Sequence, residues 1–163
     1  KIEEKDNLGT LENKFIDLSK KKLLPFLKKF AKGEIKEVKQ ENSKATFAPK
    51  INTSYQQIDW SCNSNEIDRR IRSMNPKYGA FSFLGSKRIK IYKSSPTQSN
   101  LKLKPGVIEI SETGELLVGC KNHTVLKIDE IQIEGKKVVS SKEFIQGYTA
   151  LIRREIKFSG NAR

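Results

Sequence analysis

The sequence predicts a small, mainly β domain: an antiparallel Greek-key barrel of oligonucleotide-binding type with peripheral helices, preceded by a helical arm and a linker. Three observations carry this reading. Between Ala80 and Ile133 five short apolar-alternating segments are separated by turn residues such as Gly85, Gly114 and Asn122. Ahead of them, apolar residues step by three and four, with one wider gap, from Leu8 to Ala31. Between the two, residues 34–54 lose all periodicity. A hydrophobic content of 36% against 31% charged residues in 163 suits a small core with basic surroundings rather than one large core.

The stripe Leu8, Leu11, Phe15, Leu18, Leu24, Leu27 and Ala31 predicts a helix with one buried face. Asp6 or Asn7 is placed to cap its start, and Gly33 stands where a left-handed stop residue belongs. Pro25 removes a backbone donor, which predicts a kink or two consecutive helices. So apolar a stripe needs a surface to pack on, and the following residues offer none; its partner is expected outside this chain. Residues 34–54 are rich in Glu, Lys, Gln, Asn and Ser and read as a linker. Within it Ala45-Thr46-Phe47-Ala48-Pro49-Lys50-Ile51 is expected to lie extended and pinned against a neighbouring surface.

The second domain opens at Ile58-Asp59-Trp60-Ser61, with Ser61 or Ser64 capping a helix that turns Ile67, Ile71 and Met74 inward and Arg69, Arg70 and Arg72 outward. Ala80–Leu84 and Lys87–Lys93 form a hairpin about Gly85-Ser86, with Ile89 and Ile91 on one face and Arg88, Lys90 and Tyr92 on the other. A polar loop over 94–105 precedes strands at 107–110, 116–120 and 125–133, joined by turns at Thr113-Gly114 and Asn122-His123. After Gly135-Lys136-Lys137, Ser140 and Glu143 form a capping box for a short helix that Gly147 ends. Five short antiparallel strands close most economically into a barrel, which leaves no exposed edge.

The net charge of +13 and pI near 9.7 favour a polyanionic partner, because neutralising phosphates releases condensed counterions. The excess is spread along the chain: residues 1–55 carry 13 basic and 8 acidic groups, residues 56–163 carry 19 and 11. No apolar run approaches the roughly 20 residues that span a bilayer, so no membrane partner is expected and the chain reads as cytoplasmic. Cys62 and Cys120 have no metal-ligand spacing and read as small, buried or half-buried thiols. His123 reads as an exposed turn residue with no nucleophile or orienting carboxylate nearby in sequence. Glu3-Glu4 and Asp129-Glu130 read as solvated surface, and Asp59-Trp60 as an anchor in which the indole is buried and the carboxylate caps locally. No phosphate-binding loop, dinucleotide glycine fingerprint or nucleophile elbow is present.

Asp59-Trp60-Ser61, Ile71-Arg72, Asn75-Pro76, Gly79-Ala80, Pro105-Gly106 and Gln132-Ile133-Glu134-Gly135-Lys136-Lys137 fall in one order at consistent distances. That series resembles the C-terminal part of the methionyl-tRNA formyltransferase family. The resemblance extends over nearly the whole chain: the helix from Leu8 to Gly33 looks like the last helix of the family's doubly wound α/β catalytic domain, and Ala45 to Ile51 like its interdomain linker. It implies three regions, 1–33 as that leftover helix, 34–54 as linker and 55–163 as the C-terminal barrel. It also implies a parent enzyme that moves the formyl group of 10-formyltetrahydrofolate to the amine of initiator methionyl-tRNA. The family's catalytic Asn, His and Asp lie upstream of Lys1, so no catalytic residue and no cofactor is expected in this chain, which should be inactive alone. The opening at Lys1, without Met or a secretory signal, fits a piece of a longer protein.

The expected partners are therefore initiator methionyl-tRNA and the missing N-terminal catalytic domain, with the chain monomeric. The tRNA surface is expected at Lys50, Arg69, Arg72, Arg88, Lys90, Lys136 and Lys137, held through phosphates with little sequence preference. Where the family has Trp-Pro after Asn75-Pro76 this chain has Lys77-Tyr78, and where it has Gly-Asp-Gly this chain has Lys121-Asn122-His123, which implies altered loop contacts within the same fold. Two relatives share such a barrel, the 10-formyltetrahydrofolate dehydrogenases and the formyltransferases of amino-sugar nucleotides; neither calls for a strongly basic tRNA surface. A stand-alone oligonucleotide-binding module is the other alternative, and the unpartnered stripe of the first helix weighs against it.

Overall fold

The computed structural model describes residues 1–160, apart from the side chain of Arg154; residues 161–163, the end of the expected barrel domain, lie outside the described residues. The chain begins with helix α1, Leu8–Ala31. The Asn7 side chain accepts the Thr10 amide at 2.9 Å while Thr10 Oγ1 accepts the Asn7 amide at 3.0 Å, so two of the helix's four orphan donors are satisfied. At the other end Gly33, at φ +70°, reverses the backbone, and the amides of Gly33 and Glu34 bond back to Phe30 and Lys29, each at 3.0 Å. Of the two expectations at Pro25, a kink or two consecutive helices, the second is not met: α1 runs through Pro25 as one helix. Every residue around Pro25 is exposed, so the carbonyl it leaves unpaired stays in water.

Residues 32–52 carry one short 3-10 turn, Asn42–Lys44, and no longer element. The stretch around Pro49 carries no helix or strand and is not pinned: Phe47 is 96% exposed, because no surface of this chain reaches it. A single helical turn, α2 at Thr53–Gln56, leads into the barrel.

Helix α3, Ser64–Met74, is capped by Asn63 rather than by either serine. Asn63 and Glu66 exchange side-chain bonds to each other's amides at 3.0 Å each; Ser61 is occupied instead by Asp59, which accepts both its amide and its hydroxyl. Ile67, Ile71 and Met74 are buried as the spacing predicts.

Strands β1 (Ala80–Leu84) and β2 (Lys87–Thr97) form the first hairpin. β2 runs on to Thr97 where the sequence suggested a loop from residue 94: Ser94 to Thr97 pair with Ile128 to Val125, an edge continuity that the Pro and Ser residues conceal. Register shifts between Ile91 and Ser94 bend this long strand, as a bulge does. β3 (Ile108–Ile110), β4 (Leu116–Gly119) and β5 (Val125–Ile133) follow, with β6 (Val139–Ser140) added to β5 and β7 (Phe158–Ser159) to β1. The order β3-β4-β5-β2-β1-β7 is antiparallel throughout.

The curled sheet returns on itself at the end of the chain. The Ile108 amide donates to the Ile156 carbonyl at 2.8 Å, the Phe158 amide donates to the Gly106 carbonyl at 2.9 Å, and Val107 bridges Lys157. Gly106 is required here: it lies at φ +81°, and a Cβ would stand 2.6 Å from the Phe158 carbonyl oxygen.

Helix α4, Ser141–Glu155, starts at the expected Ser140 and Glu143 box but does not stop at Gly147. It continues through an irregular Tyr148 (φ −132°, ψ 26°), because Ile152 beyond it is buried in the core. That core joins Ile67, Ile71 and Met74 of α3 to Leu84, Ile89, Leu126 and Ile131 of the sheet and Phe144 of α4. Trp60 is stacked on Phe158 at 5.4 Å, and its Nε1–H donates to the buried Ser82 Oγ at 2.9 Å, so the indole is an anchor as expected. Cys120 is buried and Cys62 half-buried, both free thiols.

Candidate nucleic-acid interface

The alternation of β2 that buries Ile89 and Ile91 turns Arg88, Lys90 and Tyr92 to the outer face of the sheet. Register then decides what stands beside them. Arg88 lies across from Phe83 on β1, while Lys90 lies between Phe81 on β1 and Gln132 on β5. The Arg88 guanidinium sits 3.8 Å from the centroid of the Phe81 ring, and its Nη1 is 3.2 Å from Glu134 Oε1. A planar cation is thereby held flat against the sheet, a quarter exposed to solvent.

The turn after β5 is tied to the same face. Tyr92 Oη donates to Gln132 Oε1 at 3.0 Å, and Gln132 Nε2 donates to the Lys136 carbonyl at 2.6 Å. Burial pushes the Tyr92 phenol above its ordinary range, which keeps it a neutral donor. Lys136 and Lys137 are exposed at this turn, and among the described residues no ion pair neutralises them or Lys90. Arg88 and Lys90 therefore stand on the outer face of the sheet, and the turn that carries Lys136 and Lys137 is tied to that face through the Lys136 carbonyl.

The other three of the seven expected contacts stand apart. Lys50 is exposed in the linker. Arg69 is exposed on α3 and donates Nε–H to the Asn65 carbonyl of its own helix at 3.2 Å. Arg72 is committed: its Nε–H donates to Asp68 at 2.8 Å and its Nη1–H to the Asp6 carbonyl at 2.7 Å. Arg69 and Arg72, with Asp6 and Pro96, line an open groove of about 610 Å³ between the start of α1 and α3.

His123 is an exposed turn residue at φ +57°, as the sequence suggested. Asp129 departs from its surface reading, since it pairs with Lys127 at 3.5 Å and accepts from Ser95 at 3.3 Å. Among the described residues no cluster of three metal-ligating side chains occurs, and no helix is long and apolar enough to cross a membrane. What the arrangement offers chemically is positive charge on a sheet face, with the Phe81 ring beneath the Arg88 guanidinium. Sequence reasoning missed Phe81, Tyr92, Gln132 and Glu134 as the groups that hold those charges; alternation marks which residues share a face but not which cross-strand neighbours meet.

Residues 50–149 match the model of the formyl transferase C-terminal domain. The chain is 34% identical over 146 residues to the methionyl-tRNA formyltransferase of Bacillus velezensis, covering 90% of this chain and 46% of that protein. It is 36% identical over 160 residues to that of Kosmotoga olearia, covering 98% and 50%. The chain thus spans about half the length of the curated relatives it matches. Among solved structures, HypX from Aquifex aeolicus superposes with a TM-score of 0.60 at 18% identity, over 78% of this chain and 23% of that one. A second HypX structure, in complex with tetrahydrofolic acid, gives 0.56 at 18% identity, over 80% and 22%. At that identity the likeness is one of fold.

Proposed function

This chain belongs to the family of formyl transferase C-terminal domains, and on that premise we propose that it is the tRNA-holding part of a methionyl-tRNA formyltransferase. The whole enzyme transfers the formyl group of 10-formyltetrahydrofolate to the amino group of initiator methionyl-tRNA. In this reading residues 1–33 belong structurally to the catalytic domain, 34–54 link the two, and 55–163 form the barrel. The catalytic residues and the folate site lie in the other domain, so this chain alone is inactive. The names of the aligned relatives and the basic sheet face support the reading.

The single observation that carries the role of the barrel is that the turn bearing exposed Lys136 and Lys137 is latched through Gln132 to the sheet face that bears Arg88 and Lys90. Cations spaced along a sheet face suit a phosphate backbone, which gives affinity and register without reading bases.

Binding of tRNA to the purified chain across a salt series tests this. With about four phosphates neutralised, the log–log slope of affinity against salt is expected at roughly −3 to −4. Changing Lys136 and Lys137 together to Ala should flatten it by roughly one to two units without altering preference among tRNAs. A flat salt dependence in the unaltered chain would remove phosphate contact from the role of this face.

A further inference from the structure

A chain of charge-assisted bonds lies away from the sheet face, at the foot of α1. Arg72 reaches in two directions: Nε–H donates to Asp68 Oδ2 at 2.8 Å on its own helix, and Nη1–H to the Asp6 carbonyl at 2.7 Å just before α1. Asp68 continues into the barrel by accepting the Ser94 hydroxyl of β2 at 2.8 Å. On the arm side the Asp6 carboxylate accepts the Glu3 amide at 2.7 Å, the Thr10 hydroxyl at 2.9 Å and the Lys14 ammonium at 2.6 Å. Asp6 and Asp68 are 7% and 8% exposed, so both carboxylates are largely covered, although Lys14 is 48% exposed and the groove opens beside Arg72. A lysine at position 72 has a point charge on a flexible stem and could not hold both acceptors in this fork.

Shape complements the polar chain. The Gly9 amide donates to the Asn75 carbonyl at 3.3 Å, and a Cβ on Gly9 would stand 2.8 Å from Pro76 Cδ. Glycine at this helical position lets the arm's first turn lie directly against the end of α3. Beyond Lys14 none of α1 is buried, and Phe15, Ile16, Leu23, Phe26, Leu27 and Phe30 expose between 48% and 64% of their surface. A 24-residue helix, about 36 Å long, is thus gripped at one end and apolar along the rest.

We infer that α1 is a strut locked at its foot by Arg72, which fixes the angle between the barrel and the remainder of the same polypeptide that covers the arm's apolar stripe. Arg72 is then a positioning residue and not a phosphate contact, in contrast to Arg69 one turn earlier. The occupant of the stripe rests on the two-domain reading above. The lock does not, since every group in it belongs to this chain.

Residual dipolar couplings of backbone amides in the 163-residue chain test the lock. Couplings from residues 15–31 and from β1 to β5 should fit one alignment frame. In Arg72→Ala the α1 couplings should shrink while the strand couplings keep their size, and Arg72→Lys should not restore them. Should Arg72→Ala disturb the barrel itself, Gly9→Val acts from the arm side, prising α1 off Pro76 with the barrel sequence untouched, and should give the same loss. An arm already averaged in the unaltered chain, or unmoved by both Arg72→Ala and Gly9→Val, overturns the inference. In the longer parent chain, Arg72→Ala should lower kcat/KM for tRNA with the salt slope unchanged, whereas the Lys136 and Lys137 change alters the slope. If Phe15 and Phe26 stay solvent-exposed in that longer chain, the two-domain reading fails and the lock stands.

Discussion

Helices α1 and α3 begin in the same way and end up in opposite surroundings. Each opens with an asparagine that exchanges bonds with the third residue inside, Asn7 with Thr10 and Asn63 with Glu66. Yet five of the eleven residues of α3 are buried, and none of the 24 of α1. Caps and apolar spacing decide that a helix forms and where it starts; what it buries depends on whether a complementary surface lies opposite. α3 has the inner wall of the sheet, while α1 has only the contact at its foot.

The largest expected effect separates the two directly. Ile71→Ala removes a fully buried side chain of α3 and should cost about 2–5 kcal/mol of stability by chemical denaturation. Phe26→Ala on the arm, where that side chain is 49% exposed, should stay within about 0.5 kcal/mol, although the deleted side chain is larger. A Phe26→Ala loss as large as that of Ile71→Ala would mean that the arm folds onto something within this chain.

A smaller effect sharpens the same contrast. Replacing Asn63 by Ala should lower global stability by about 1 kcal/mol, because α3 unfolds with the core. Asn7→Ala removes an equivalent cap, but α1 carries little of the core, so its loss should appear as faster amide exchange over residues 8–12 with the denaturation midpoint unmoved. Equal shifts in midpoint would show that α1 and the barrel unfold as one unit.

The same contrast explains what was legible in the sequence. Period-two alternation marked β1, the start of β2 and β5 to within a residue, because one face of each packs on a core that the chain itself supplies. The caps of α1 and the box at Ser140 were legible from local chemistry. The cap of α3 was not, since Ser61, Asn63 and Ser64 all stand at its start and only the Asp59 contacts show that Ser61 is already engaged. Gly147 looked like a stop because propensity is local, whereas Ile152 and Phe158 hold the chain in place by burial in a distant core. Of the seven basic positions, the hairpin alternation singled out Arg88 and Lys90 correctly as outward-facing. It could not show that Arg72, two turns from the start of α3, meets a carbonyl 66 residues away.

The smallest effect concerns the foot of the arm, where the two regions touch. The Lys14 ammonium, bonded to the Asp6 carboxylate, together with the Glu3 amide and the Thr10 hydroxyl, lowers that carboxyl from its ordinary 3.8 to about 2. A carboxyl depressed in the folded state binds its proton more weakly there than in the unfolded chain. Its contribution is therefore fully present above about pH 4 and is lost as the pH falls toward 2. A carboxyl-carbon titration by NMR should place the Asp6 midpoint near 2. In Lys14→Gln the leading cause is gone, so the midpoint should rise toward 3.8 and the Glu3 amide should lose its protection at correspondingly higher pH. The barrel amides serve as the internal reference: if Glu3 and the strands lose protection together in both proteins, the foot of the arm melts with the core, and the difference between α1 and α3 is one of exposure rather than of cooperative unit.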